Sequence, residues 1–123
     1  MIIAIDGDNV GHILELYILD GQIEELEDFS DALKVRFQWL VEQLSDLLNA
    51  KIHLFGGDSI LASCEQTKET VKIIENLRIN FHQNKLPTIS IGVGNTFREA
   101  YLALKYAKLK GKNCLITFEE MNK

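Results

Sequence analysis

The stretch His53-Leu54-Phe55-Gly56-Gly57-Asp58-Ser59-Ile60-Leu61-Ala62 constrains the fold more than any other. Apolar residues flank a glycine pair, the pattern of a tight β-hairpin, and Gly-Gly supplies the backbone freedom such a turn requires. Asp58 follows directly, so a carboxylate is held on a short, rigid tip. The bare glycines also let a bulky molecule approach the backbone. Taken alone, Gly-Gly-Asp is compatible with an ordinary surface hairpin; residues 2–12 and 89–113 give it a chemical sense.

Ile2-Ile3-Ala4-Ile5 is a continuous apolar run with β-branched residues, which fits a strand buried on both faces at a sheet centre. It runs into Asp6-Gly7-Asp8-Asn9. Side chains alternate along a strand, so Asp6 and Asp8 project from the same face if the extended geometry persists. Two such carboxylates repel unless a cation lies between them. The Gly7 carbonyl is free to turn toward the same point. Asn9 or Asp8 is expected to cap a helix from Val10 to about Leu19, whose start offers free N–H groups to an anion.

Asp20-Gly21 marks a turn. Residues 22–50 then carry an apolar stripe at helical spacing (Ile23, Leu26, Phe29, Leu33, Phe37, Leu40, Val41, Leu44), with Ser30 or Asp31 as a possible break between two helices. The hairpin arms follow at Lys51 to Phe55 and Ser59 to Ser63. Residues 65–84 are amphipathic, and Thr88 to Gly94 reads as a strand. Residues 97–110 read as a helix with a Thr96/Glu99 capping box, and Cys114 to Phe118 as a last strand. This order predicts an α+β fold: a mainly antiparallel sheet of about five strands, in the sequence β-α-α-β-β-α-β-α-β, with helices packed on one face. Residues 1–123 are expected to form one domain. The end of the first strand then lies beside the hairpin turn, which brings Asp6, Asp8 and Asp58 together.

No apolar run is long enough to span a membrane, and Met1-Ile2-Ile3-Ala4-Ile5 lacks the charged start of a signal peptide. Cys64 and Cys114 are isolated and match no metal spacing, so a reducing, cytoplasmic setting is the expectation. A formal net charge of −5 disfavours a general grip on long nucleic acid. The charge is uneven, however: Glu15 to Asp31 is acidic without a basic residue, whereas Arg98 to Lys112 is mostly basic. A local basic patch suits a small polyanion such as a nucleotide.

Carboxylates with one or two carbonyls, and no His or Cys nearby, favour Mg²⁺ or Mn²⁺ over Zn²⁺. Such ions complete their coordination with water and substrate phosphates. Lys108 and Lys112, four apart at the end of the last long helix, are placed to reach terminal phosphates as point charges. There is no Walker loop, no GxGxxG and no Ser-His-Asp or Cys-His set.

The segments Ile5-Asp6-Gly7-Asp8-Asn9-Val10-Gly11, Phe55-Gly56-Gly57-Asp58, Ile89-Ser90-Ile91-Gly92-Val93 and Ala103 to Asn113 occur in the order found in GGDEF-type nucleotidyl cyclases and in the polymerase subunit of type III CRISPR complexes. Across nearly its whole length the chain resembles this superfamily of ferredoxin-like palm domains. Bare of sensor domains, it most resembles the minimal CRISPR polymerase (mCpol) group. The resemblance implies a Mg²⁺-dependent nucleotidyltransferase that joins ATP, or another nucleoside triphosphate, into a cyclic di- or oligonucleotide with release of pyrophosphate. It also implies anti-phage defence, a downstream cyclic-nucleotide-responsive effector, and a homodimer or higher homo-oligomer that supplies a second nucleotide. Asp6, the Gly7 carbonyl and Asp58 would hold the metal, with Asp8 as a catalytic helper. Backbone N–H groups of Asn9, Val10 and Gly11 would cradle the triphosphate. Gly56, Gly57 and Ser59 would lie against the nucleotide, and Lys108 and Lys112 would bind its terminal phosphates. Ser59 stands where relatives carry a second acidic residue, and the guanine-reading Asn and Asp of diguanylate cyclases have no clear match between Gly11 and Asp20. The alternative is a degenerate palm that binds a nucleotide as a sensor.

Overall fold

The computed structural model describes all 123 residues. Strand β1 (Ile2–Gly7) is followed by α1 (Val10–Leu19), α2 (Ile23–Leu48), β2 (Lys51–Gly56), β3 (Ser59–Ser63), α3 (Thr70–Phe81), β4 (Ile89–Gly94), α4 (Phe97–Leu109), β5 (Leu115–Thr117) and α5 (Phe118–Met121). The five strands form one sheet in the order β2-β3-β1-β4-β5. All pairings are antiparallel except β4 with β5. The apolar run at residues 2–5 is thus the central strand, paired on both edges, as its composition predicts.

Helices cover both faces of the sheet, not one. On β1 and β4, Ile3, Ile5, Ile89, Ile91 and Val93 point to the face that packs with Phe37, Leu40, Leu44, Ile74 and Phe81 from α2 and α3. The alternate residues Ala4, Asp6, Ser90, Gly92 and Gly94 lie on the opposite face, under α4. Gly92 is what lets α4 come so close: a Cβ there would stand 2.2 Å from the Leu104 nitrogen and 2.3 Å from the Ala100 oxygen. Ala100, Ala103 and Ala107, all fully buried, give the helix a flat underside to match. The expectation of one covered face missed this because small residues carry little hydrophobic signal.

Three boundaries also differ. Helix α2 runs unbroken through Ser30 and Asp31, because the apolar stripe continues in phase across them and Phe29 and Leu33 are buried on either side. Helix α3 starts at Thr70 rather than residue 65; Thr67 N–H bonds the Thr70 hydroxyl and holds the preceding segment as a turn. The last strand ends at Thr117, whose side chain caps α5 in a capping box with Glu120.

Candidate active site

The hairpin turn consists of Gly57 and Asp58, with Gly56 paired to Ser59 as the last rung of the ladder. Gly57 takes φ +58°, which a glycine adopts without steric cost. A Cβ built on Gly56 or Gly57 would meet no atom within 4 Å, so the top of the turn is open. The Gly7 N–H donates to the Asp58 carbonyl at 2.9 Å and ties the hairpin tip to the end of β1. Asp6 lies between Ser59 on β3 and Ser90 on β4, and accepts a 3.1 Å hydrogen bond from the Ser59 hydroxyl. Asp6, the Gly7 peptide and Asp58 are therefore brought together, as the order of the elements predicts.

Lys108 reaches into this group from α4. Its ammonium stands 2.9 Å from the Gly7 carbonyl oxygen, 3.1 Å from Asp6 Oδ2 and 2.8 Å from Asp8 Oδ1. The cation that the paired carboxylates require is thus supplied within the chain. Asp8 lies on the same side as Asp6, but it is only 2% exposed. Besides Lys108 it accepts from the Thr88 and Ser90 hydroxyls, each at 2.7 Å, and from the Asn113 N–H at 3.0 Å. These partners come from the residue before β4, from β4 itself and from the loop after α4; Ser90 and Asn113 lie in segments that carry the family resemblance, but none of the three was given a role from the sequence. Ser90 alternates with buried Ile89 and Ile91, a small polar residue at a central strand position. Such a residue needs a buried polar partner, and that was the available signal.

The two environments act on the carboxylates in opposite ways. For Asp8, burial would raise the pKa, but hydrogen bonds from Lys108, Ser90, Thr88 and Asn113 outweigh it and hold the carboxyl below its ordinary value. For Asp58, burial and the neighbouring charge of Asp6 raise the pKa, and Lys108 offsets this only in part. Burial would lower the Lys108 pKa; the bond to Asp8 and the charge of Asp6 prevail and raise it. No group of three or more His, Cys, Asp or Glu side chains is placed to hold a metal ion. A cation here would take the Asp6 and Asp58 carboxylates with the Gly7 carbonyl. The Lys108 ammonium touches the Asp6 carboxylate and the Gly7 carbonyl at once, so these two oxygens already meet at a positive charge.

Next to this group begins α1. Its first helical bond runs from the Ile13 N–H to the Asn9 carbonyl, which leaves the N–H groups of Val10, Gly11 and His12 without a backbone acceptor. Neither Asn9 nor Asp8 caps them, contrary to expectation. Asn9 occupies the N-cap position in the left-handed conformation (φ 60°) and makes no side-chain cap bond; its side-chain oxygen instead accepts from the Lys112 ammonium. Asp8 is committed to β4 and Lys108.

The family model for mCpol, described as the minimal CRISPR polymerase domain, matches residues 2–118. The chain belongs to the mCpol family. Among solved structures it resembles the active GGEEF domain of a diguanylate cyclase from Vibrio cholerae, with a TM-score of 0.60 and 18% identity over 95% of this chain and 81% of that one. It also resembles the GGDEF domain of DgcB from Caulobacter crescentus in complex with c-di-GMP, with a TM-score of 0.65 and 12% identity over 96% of this chain and 77% of that one. At such identities the likeness concerns the fold, which is that of the GGDEF palm. No curated protein matches the sequence. This mCpol chain therefore carries a nucleotide cyclase or polymerase-like palm, and none of its helices is long and apolar enough to cross a membrane.

Proposed function

We infer that this mCpol chain is a nucleotidyltransferase that joins nucleoside triphosphates, ATP favoured, into a cyclic di- or oligonucleotide with release of pyrophosphate, in the service of anti-phage defence. The observation that carries the reading is that Asp6 and the Gly7 carbonyl meet at one cation, the Lys108 ammonium, with the Asp58 turn tied to Gly7 through its backbone and the free N–H groups of α1 directly beside them. In this reading Asp6, Gly7 and Asp58 hold Mg²⁺ or Mn²⁺, since an all-oxygen donor set suits hard divalent ions. Bound there, the ion would neutralise charge on the phosphates and on the leaving pyrophosphate.

The chain's own groups do the rest. The amides of Val10 and Gly11, with Asn9 beside them, receive the triphosphate, since a helix start favours anions. Lys108 and Lys112 supply positive charge to its terminal phosphates. Asp8 orients Lys108 rather than binding the metal. The open backbone of Gly56 and Gly57, with Ser59, gives the nucleotide a surface to lie against. A ribose hydroxyl of a second nucleotide forms the new bond to the α-phosphorus of the first. The bond from that phosphorus to pyrophosphate breaks with its electron pair, and the hydroxyl proton passes to water. Two palms of a homodimer, each holding one triphosphate, would let the ring close, and an effector responsive to the cyclic product would complete the response.

One observation favours a second reading, a palm that senses a nucleotide without turning it over: the Ser59 hydroxyl already engages Asp6 Oδ1 where a second acidic residue would add a ligand. The two separate when the purified protein is incubated with each of the four ribonucleoside triphosphates and Mg²⁺ or Mn²⁺, and the products are read by mass spectrometry. A cyclic product from one triphosphate is the expected result. Intact triphosphates together with thermal stabilisation by one of them would replace the enzyme with the sensor.

A further inference from the structure

Helix α4 presents charge and apolar surface in an ordered series. Lys112, beyond its end, meets Asn9 at the start of α1. Lys108 meets Asp6 and Gly7. One turn further toward the helix start come Leu104 and Lys105, and then Tyr101. Between these residues and the hairpin lies a groove of ≈ 400 Å³, walled by Leu54 and Leu61 on the hairpin and by Leu104 and Tyr101 on α4, with Lys105 at its side. Asp6 and Lys108 also line it, so the groove opens directly onto the group described above.

We propose that this groove is a nucleobase subsite. The proposal rests on the nucleotidyltransferase reading and adds where a base of the reaction lies. Three features select that occupant. The volume falls within the range of about 300–1,000 Å³ typical of small-ligand sites. The walls are apolar side chains and one aromatic ring, half-exposed at 53%, which suits stacking against a flat heterocycle. The cations are Lys105, 5.2 Å from the centre of the Tyr101 ring, and Lys108; a base that enters here carries its phosphate past them, on a protein whose net charge is −5. A base stacked on Tyr101 directs its ribose toward Asp6, where the reacting groups meet. The triphosphate cradle at α1 and Lys112 lies at the other end of this series, so the groove and the cradle flank Asp6 from opposite sides.

The base belongs either to the triphosphate in the cradle or to the nucleotide that attacks it, and one experiment separates these sources. Leucine-methyl and amide NMR spectra are recorded with Mg²⁺, first with α,β-methylene-ATP and then with AMP added. Shifts of the Leu54, Leu61 and Leu104 methyls with the analogue alone assign the groove to the donor's base; shifts that appear only with AMP assign it to the acceptor's. In either case Tyr101→Ala weakens that response about tenfold, within the range expected when a base loses its aromatic stacking partner, and Tyr101→Phe restores it. If the amides of Val10, Gly11 and His12 respond to the analogue while the three leucines answer to neither ligand, the groove is not a base site and the proposed activity survives. If neither set responds, both readings fall.

Discussion

Asp8 and Asp58 are two carboxylates beside the same ammonium, and their surroundings have opposite consequences. Asp8 is enclosed and meets donors from β4 and the residue before it, from α4 and from the loop that follows α4. Its charge is therefore stabilised by the fold, and in return it ties three elements together. Asp58 stands on an open two-residue turn beside a like charge, Asp6, with Lys108 compensating only in part. One carboxylate belongs to the frame; the other keeps an unmet demand for positive charge. Both sit in Asp-bearing turns that look alike in sequence, so residue type does not separate framework from function here. The number of donors that meet each carboxylate does.

The comparison is open to test from its largest effect downward. Asp8→Ala leaves Lys108, Ser90, Thr88 and the Asn113 N–H without their acceptor. Removing one partner of a buried ion pair costs about 3–5 kcal/mol, and chemical denaturation is expected to register a loss of that size. A loss under about 1 kcal/mol, within the range of exposed ion pairs, would erase the distinction. Ser90→Ala removes one hydrogen bond to a buried charge and should cost about 1.5–3 kcal/mol on the same measurement.

Acid titration sharpens the contrast further. Asp8 has a folded pKa below its unfolded value of 3.8, so its contribution is present above that value and is lost as pH falls through the folded pKa. Asp58 has a raised folded pKa; it weakens the fold at neutral pH and relieves that strain as it takes up a proton. Denaturation curves between neutral and strongly acidic pH should therefore lose part of their acid-side slope in Asp8→Asn. In Asp58→Asn they should gain a little stability, at neutral pH only. The smallest stability change is expected for Asp58→Ala, which nevertheless should abolish nucleotide joining.

Much of this was legible in the chain. The central strand showed in Ile2-Ile3-Ala4-Ile5, the long helix in its apolar stripe, and the hairpin in its glycines. Asp6 and Asp58 could be brought together because strand order follows from the succession of elements. What escaped was of two kinds. The placement of α4 on the second face depends on Gly92 and on Ala100, Ala103 and Ala107, which signal by their smallness and leave no hydrophobic periodicity to read. The enclosure of Asp8 depends on Thr88, Ser90 and Asn113, which are distant in sequence and whose hydrogen bonds to it no sequence spacing reveals. Local pattern predicts elements well; it does not reveal which of two neighbouring carboxylates the rest of the fold has already satisfied.

The most direct test of the account is a titration with Mn²⁺ followed by amide NMR, in which the paramagnetic ion broadens the groups nearest to it. The account predicts early, selective broadening of Gly7, Gly57 and Asp58, and its loss in Asp58→Ala. Broadening that is uniform, that centres elsewhere, or that persists unchanged in Asp58→Ala would contradict it.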